Sequence, residues 1–233
     1  MIRKALFVLT SHDRIGETGR PTGFYWEELA LPYLELTAHG YDVEFASIKG
    51  GAAPADPGSA KEEGRPEPVA RIMADADAMA RIADTIPIAE VDATAYDLVY
   101  LPGGHGTMWD LAQSANLGRV LSTAWATGAV VGAVCHGPAG LLAARAEDGK
   151  PLVAGRRVNA FTDAEEVAVG LAETVPYLLE TRLREQGAVF EANPQHFAAH
   201  AVRDGRLVTG QNPASTANVT ALLLEALEAR AAA

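Results

Sequence analysis

The sequence predicts an α/β fold, on three observations. Short apolar runs of strand length alternate with longer amphipathic stretches along most of the chain. Two of those runs stop abruptly at polar or glycine-rich loops, residues 5–9 at Thr10-Ser11-His12-Asp13 and residues 97–101 at Pro102-Gly103-Gly104-His105-Gly106. The 233 residues are 48% hydrophobic and 21% charged, enough to close one substantial core rather than two small ones.

Taken in order, residues 5–9 read as a first central strand that opens into a loop. A helix over 27–38 follows, with Leu29, Leu31, Leu34 and Leu36 on its apolar side, acidic residues in its first turn and Gly40 at its C-terminal cap. Pro32 lies inside it and is expected to kink the helix or to mark its true start. Residues 41–48 alternate as a second strand. From 49 to 90 the texture changes, with Pro54, Pro57, Pro66 and Pro68 among glycines and charges, then an alanine-rich amphipathic stretch over 69–83. This reads as an inserted cap, either a lid over a site or a surface excursion. Strands are expected at 97–101 and 129–134, with a helix starting at about Pro138. A strand at 157–160, a helical pair over 163–185 and strands near Val189, 199–202 and 207–209 come next. A helix over 213–230 closes a single domain of residues 1–233.

Composition excludes several classes of function. No window holds the roughly 18 unbroken apolar residues of a membrane span, and the first residues are too short and too soon polar for a leader peptide, so a cytoplasmic protein is expected. The formal charge of −11, with no basic run interleaved with aromatics, argues against nucleic acid as a partner. One cysteine allows neither an internal disulfide nor a Cys-x-x-Cys metal pair. A homodimer is the expected assembly.

The chemistry is concentrated in Val130-Val131-Gly132-Ala133-Val134-Cys135-His136-Gly137-Pro138-Ala139. A β-branched strand runs through small residues into the cysteine and then into a glycine before a helix. This pattern suits a nucleophile elbow, in which small neighbours permit a strained turn that pushes the side chain outward. A lone cysteine is more often a small core hydrophobe, but the elbow context favours a nucleophile. A thiol at the start of the next helix would be made acidic by its positive end. The oxyanion formed on attack needs donors, and the backbone N–H groups of Gly104 and of His136 are the candidates. The Gly103-Gly104-His105-Gly106 loop does not have the spacing of a phosphate-binding loop.

Leu101-Pro102-Gly103-Gly104-His105-Gly106, Ala133-Val134-Cys135-His136-Gly137-Pro138 and Gly23-Phe24-Tyr25-Trp26-Glu27-Glu28 together resemble the ThiJ/PfpI superfamily, nearly end to end. Residues 53–59, Phe161-Thr162-Asp163-Ala164-Glu165-Glu166 and residues 207–215 resemble its heat-shock chaperone and glyoxalase III branch. The resemblance implies a flavodoxin-like, mostly parallel sheet sandwiched by helices, and an enzyme that turns small dicarbonyls such as methylglyoxal into hydroxy acids without glutathione, formally a hydro-lyase. It implies Cys135, His136, Glu28 and Glu166 as the catalytic set. Glu28 rather than Glu27 would sit under the cysteine as a protonated acid. Glu166 would orient the histidine, with Glu165 as the fallback, both also readable as ordinary first-turn glutamates. Trp26 would wall the substrate pocket or pack in the core, and His105 would reach substrate. His196 and His200 fall where relatives place an aromatic and histidine pair, but Asn193-Pro194-Gln195-His196-Phe197 departs from that pattern. No metal and no organic cofactor is expected, because the reaction keeps its electrons within substrate and thiol adduct. Amide transfer is not expected, since the ammonia-accepting domain and the distant histidine-x-glutamate pair are missing. A holding chaperone, a protein deglycase and a cysteine redox sensor are the alternatives.

Overall fold

A computed structural model describes residues 3–232. Its main sheet has seven strands: β1 (Arg3–Leu9), β2 (Tyr41–Ser47), β3 (Ile86–Pro87), β4 (Leu98–Leu101), β5 (Val130–Val134), and, past a separate two-stranded ladder of β6 (Arg157–Val158) and β7 (Val189–Phe190), β8 (Ala201–Asp204) and β9 (Leu207–Gly210). The spatial order is β3-β2-β1-β4-β5-β9-β8, parallel throughout except for β8 on β9. The order β2-β1-β4-β5-β9 is the flavodoxin-like one, and its switch point, where ligands collect, lies at the carboxyl ends of β1 and β4.

Period-two alternation places the core on both faces. Ala5, Phe7 and Leu9 pack with Val43, Tyr100 and Val134 beneath helices α1 (Trp26–Ala38) and, from the chain's end, Thr216–Ala231. Leu6 and Val8 face the other way, with Val99, Leu101, Val131 and the helix Ala115–Ala126. The segment over 49–90 supplies α2 (Glu67–Ala74), α3 (Ala76–Ala83) and the edge strand β3. The single amphipathic stretch expected over 69–83 is two helices, because Asp75 is extended at ψ 103 and its carboxylate caps the amides of Asp77 and Ala78. Val69, Ile72, Ala78 and Ile82 join the cluster around α1, with α2 packed on α1 and α3 on β2, while the proline arm alone reaches the pocket described below, through Asp56.

Two expectations need correction. Helix α1 continues through Pro32 from Trp26, so the proline does not mark its start. The carbonyl of Glu28, which an amide at position 32 would have paired, instead accepts the buried hydroxyl of Tyr100 at 2.9 Å. The helix expected from Pro138 is a 3-10 helix, Gly137–Ala143. Tyr100→Phe should cost about 1–3 kcal/mol, because a buried carbonyl loses its donor. In a Pro32→Ala background the restored amide can take over, so the same change should cost measurably less in urea melts of the four proteins; equal costs in both backgrounds would dismiss the compensation.

Candidate active site

Cys135 ends β5 with φ 59, a value that among the described non-glycine residues only Phe197 shares in sign. Its amide donates to the Gly210 carbonyl and its carbonyl accepts from the Phe161 amide, both at 2.9 Å, so the strained turn is held from two sides. Glycine is required next to it. A Cβ on Gly137 would stand 2.1 Å from the Leu101 carbonyl oxygen, and one on Gly103 would stand 2.7 Å from the His136 nitrogen. The Thr107 hydroxyl lies 2.8 and 3.0 Å from the carbonyls of Gly104 and His136, tying the glycine loop to the elbow.

The elbow turns the histidine back onto the sulfur. His136 Nδ1 lies 3.3 Å from Cys135 Sγ, its Nε2 lies 2.7 Å from Glu166 Oε2, and the other oxygen of Glu166 lies 2.9 Å from His105 Nε2. Both imidazoles therefore lean on one carboxylate, with ring centroids 4.1 Å apart. Burial lowers the His136 pKa to about 4, and His105 beside it acts in the same direction. Burial alone would raise Glu166, yet the hydrogen bonds from His105 and His136 outweigh it and hold the carboxyl at about 2. A neutral His136 facing a carboxylate carries its proton on Nε2, which leaves the Nδ1 lone pair for the thiol.

Under the sulfur sits Glu28, fully buried. Its Oε2 accepts the Gly103 amide at 2.7 Å, and its Oε1 has no hydrogen-bond partner among the described residues. Burial pushes the carboxyl up to about 8, with the Gly103 amide and Cys135 pulling it partly back. Near neutrality Glu28 is thus protonated, with a hydroxyl available to the sulfur. The acidic thiol expected from a helix start is not what these surroundings produce. Burial pushes Cys135 well above its ordinary value, and a charged Glu28 would add to that, while the backbone amides of His136 and Gly104 pull it partly down. The 3-10 helix after Cys135 is a short, weak dipole. A protonated Glu28 and the free Nδ1 of His136 thus place a donor and an acceptor beside the thiol.

A cavity of about 260 Å3 opens over Cys135, His136, Gly104 and His105, with Tyr25, Asp56, Phe161, Val169, Phe197 and Pro213 as its other walls. A larger one of about 440 Å3 beside Trp125, Arg156 and Arg206 contains none of the groups above. Trp26 does not wall the pocket: it is buried, edge-on to Phe24 at 4.8 Å, and its neighbour Tyr25 takes the pocket position. Glu165 is buried too but turned away from the histidines, accepting from Thr162, Phe197, Gln211 and Asn212. Neither His196 nor His200 lines the cavity, and His200 lies 3.9 Å from Glu191. The sequence reading missed the bond between His105 and Glu166 and the walls Tyr25, Phe161 and Phe197, which no periodicity marks.

His105, His136 and Glu166 have donor atoms within 4.8 Å of one another, a set that could hold a metal ion. Each carboxylate oxygen is already engaged by one imidazole nitrogen, as in a proton relay, and a cation there would displace both hydrogen bonds.

A cysteine on a strained elbow, a histidine-carboxylate pair and two convergent amides, at the carboxyl ends of a flavodoxin-like sheet, define a cysteine-centred α/β site. The chain belongs to the DJ-1/PfpI family, whose model matches residues 22–226. It is 31% identical to the glutathione-independent glyoxalase HSP31 of Saccharomyces cerevisiae, over 97% of this chain and 98% of that one. Among solved structures, it is similar to the Rapid Encystment Protein 24 kDa of Francisella tularensis, with TM-score 0.91, 31% identity and 97% and 99% of the two chains covered. It is also similar to glyoxalase III of Candida albicans, with TM-score 0.87, 26% identity and 97% of each chain covered.

The Glu28 assignment predicts a pH signature. A carboxyl whose folded pKa lies above its unfolded value of 4.5 stabilises the native state fully below that value, and the contribution is lost as pH rises through about 8. His136 works in the opposite sense below 6.5, losing stability as pH falls towards 4, so the window from 6.5 to 8 belongs to Glu28. Over it the native protein should lose up to about 1.4 kcal/mol per pH unit relative to Glu28→Gln. Urea melts of both proteins at the two ends of the window measure this, and parallel behaviour would mean that Glu28 is ionised throughout.

Proposed function

We propose that this chain is a glutathione-independent glyoxalase that converts methylglyoxal to lactate on Cys135. The observation that carries the reading is the unbroken line from Cys135 Sγ through His136 to Glu166, at 3.3 and 2.7 Å. The names of the relatives point the same way.

The chemistry follows from the groups present. His136 Nδ1 takes the thiol proton as sulfur adds to the aldehyde carbon, and the oxygen that gains charge meets the Gly104 and His136 amides and then receives that proton, giving a hemithioacetal. His136, neutral again, removes the hydrogen from the former aldehyde carbon as a proton. The electron pair left behind forms an enediol with the neighbouring carbonyl carbon. Reprotonation at that second carbon leaves the thioester of lactate. The first carbon has been oxidised and the second reduced, so no outside oxidant is needed. Water then cleaves the thioester and returns the thiol. Glu166 stabilises the imidazolium whenever His136 carries the extra proton, and Glu28 supplies a hydrogen bond whenever the sulfur is anionic.

Lactate formation from methylglyoxal, without glutathione, is the decisive assay: native protein that forms none refutes the reading, and Cys135→Ala should form none. Glu166→Ala should lower kcat by on the order of 100-fold with a smaller change in KM, because it orients the base in the chemical step. Glu165→Ala should act mainly on stability, since it strips a buried acceptor from four partners. If the two variants lose kcat equally while both remain folded, the assignment of Glu166 as the histidine's partner is wrong.

A further inference from the structure

The cavity is larger and more apolar than methylglyoxal requires. Its 260 Å3 would hold roughly nine waters at ~30 Å3 each, far more than a molecule whose side group is one methyl. The polar groups converge at the sulfur, and the remaining walls include Tyr25, Phe161, Val169, Phe197 and Pro213. Among these Phe197 is unusual. It is 46% exposed at the rim, its ring centroid 6.2 Å from that of Phe161, and its backbone is left-handed at φ 61. A bulky side chain occupies that conformation only where the surroundings hold it there.

The holding group is Glu165. One oxygen accepts the Thr162 amide and hydroxyl at 3.0 Å, which completes an ordinary capping box. Helix capping does not account for the other oxygen. It accepts the Phe197 amide at 2.8 Å together with the side-chain amides of Gln211 and Asn212. Asn212 also donates to the Ala198 carbonyl at 2.9 Å, so the loop is pinned on both sides of the ring. A buried carboxylate thus fixes an exposed aromatic over the mouth of the site.

We propose that Phe197 sets the substrate range, selecting 2-oxoaldehydes whose ketone carries an aromatic or bulky apolar group over methylglyoxal. The proposal rests on the glyoxalase reading for the reaction but concerns binding, which can be measured apart from turnover. With the sulfur on the aldehyde carbon, the substituent on the ketone extends towards the rim, where a ring displaces water and lies against the paired Phe161 and Phe197. For phenylglyoxal the balance is that of methylglyoxal: one water is added, the aldehyde carbon is oxidised, the ketone carbon is reduced and mandelate leaves.

Protection of Cys135 from iodoacetamide, read by intact mass, gives the concentrations of mandelate and of lactate that halve the alkylation rate. Mandelate should protect at a concentration about tenfold lower than lactate in the native protein, and this preference should fall to about twofold or less in Phe197→Ala. Phe197→Leu should keep most of it. Phe197→Gly should lose it while being at least as stable as the native protein, because glycine suits the left-handed position, so unfolding cannot mimic the result. In the same series kcat/KM for phenylglyoxal should fall about tenfold more than for methylglyoxal. A native protein protected equally by both acids, or a preference that survives Phe197→Gly, overturns the proposal. A preference that depends on Phe197, in a protein that turns over neither aldehyde, upholds this role for the rim and removes the glyoxalase reading alone.

Discussion

The site depends on a backbone contact between the ends of two adjacent strands. Beyond β4 and β5 the chain runs so close that Gly137 passes the Leu101 carbonyl and Gly103 passes the His136 amide with no space for a Cβ on either. Only that approach lets Cys135 turn with φ 59 while its peptide groups stay bonded to Gly210 and Phe161. From this turn the rest follows. Consecutive side chains on an extended strand point to opposite faces, so a cysteine and the next histidine would ordinarily diverge. The left-handed turn brings Sγ and Nδ1 to 3.3 Å instead.

The same crowding determines the electrostatics. With the sulfur, His136 and Glu28 all buried, an isolated charge on any of them is expensive, and burial pushes each towards its neutral form. Glu166 is the exception because two imidazole N–H groups solvate it. A site that rests neutral at the thiol and charged at one carboxylate can move a proton from sulfur to histidine with little change in net charge, since the imidazolium forms next to a carboxylate already in place.

Much of this arrangement is legible in the sequence, for physical reasons. Strands covered on both faces read as unbroken apolar runs, so β1, β4 and β5 stand out. The small residues around Cys135 stand out because a tight backbone approach excludes Cβ atoms. What escapes is orientation. Tyr25 and Trp26 adjoin at a helix start, where successive residues diverge by about 100°, and no periodicity says which one faces the cavity. That the helix continues through Pro32 could not be read locally, because the hydroxyl that satisfies Glu28's carbonyl comes from Tyr100 on a strand. Phe197 lies in an irregular loop whose shape is set by a carboxylate elsewhere in the chain. Each of these depends on a partner distant in sequence, which pattern within a short window cannot contain.

Glu165 and Glu166 show how little of a residue's role is local. They are consecutive, both buried, both held below the ordinary carboxyl pKa, and both in the first turn of one short helix. The helix turn separates them, so one carboxylate meets two imidazoles while the other meets backbone and side-chain amides. Imidazoles can gain and lose protons, whereas amides cannot. The first carboxylate can therefore take part in a proton relay, and the second can only hold a shape. In this chain that shape is the loop carrying Phe197, so one turn of helix holds the imidazoles beside Cys135 with one glutamate and the Phe197 loop with the other.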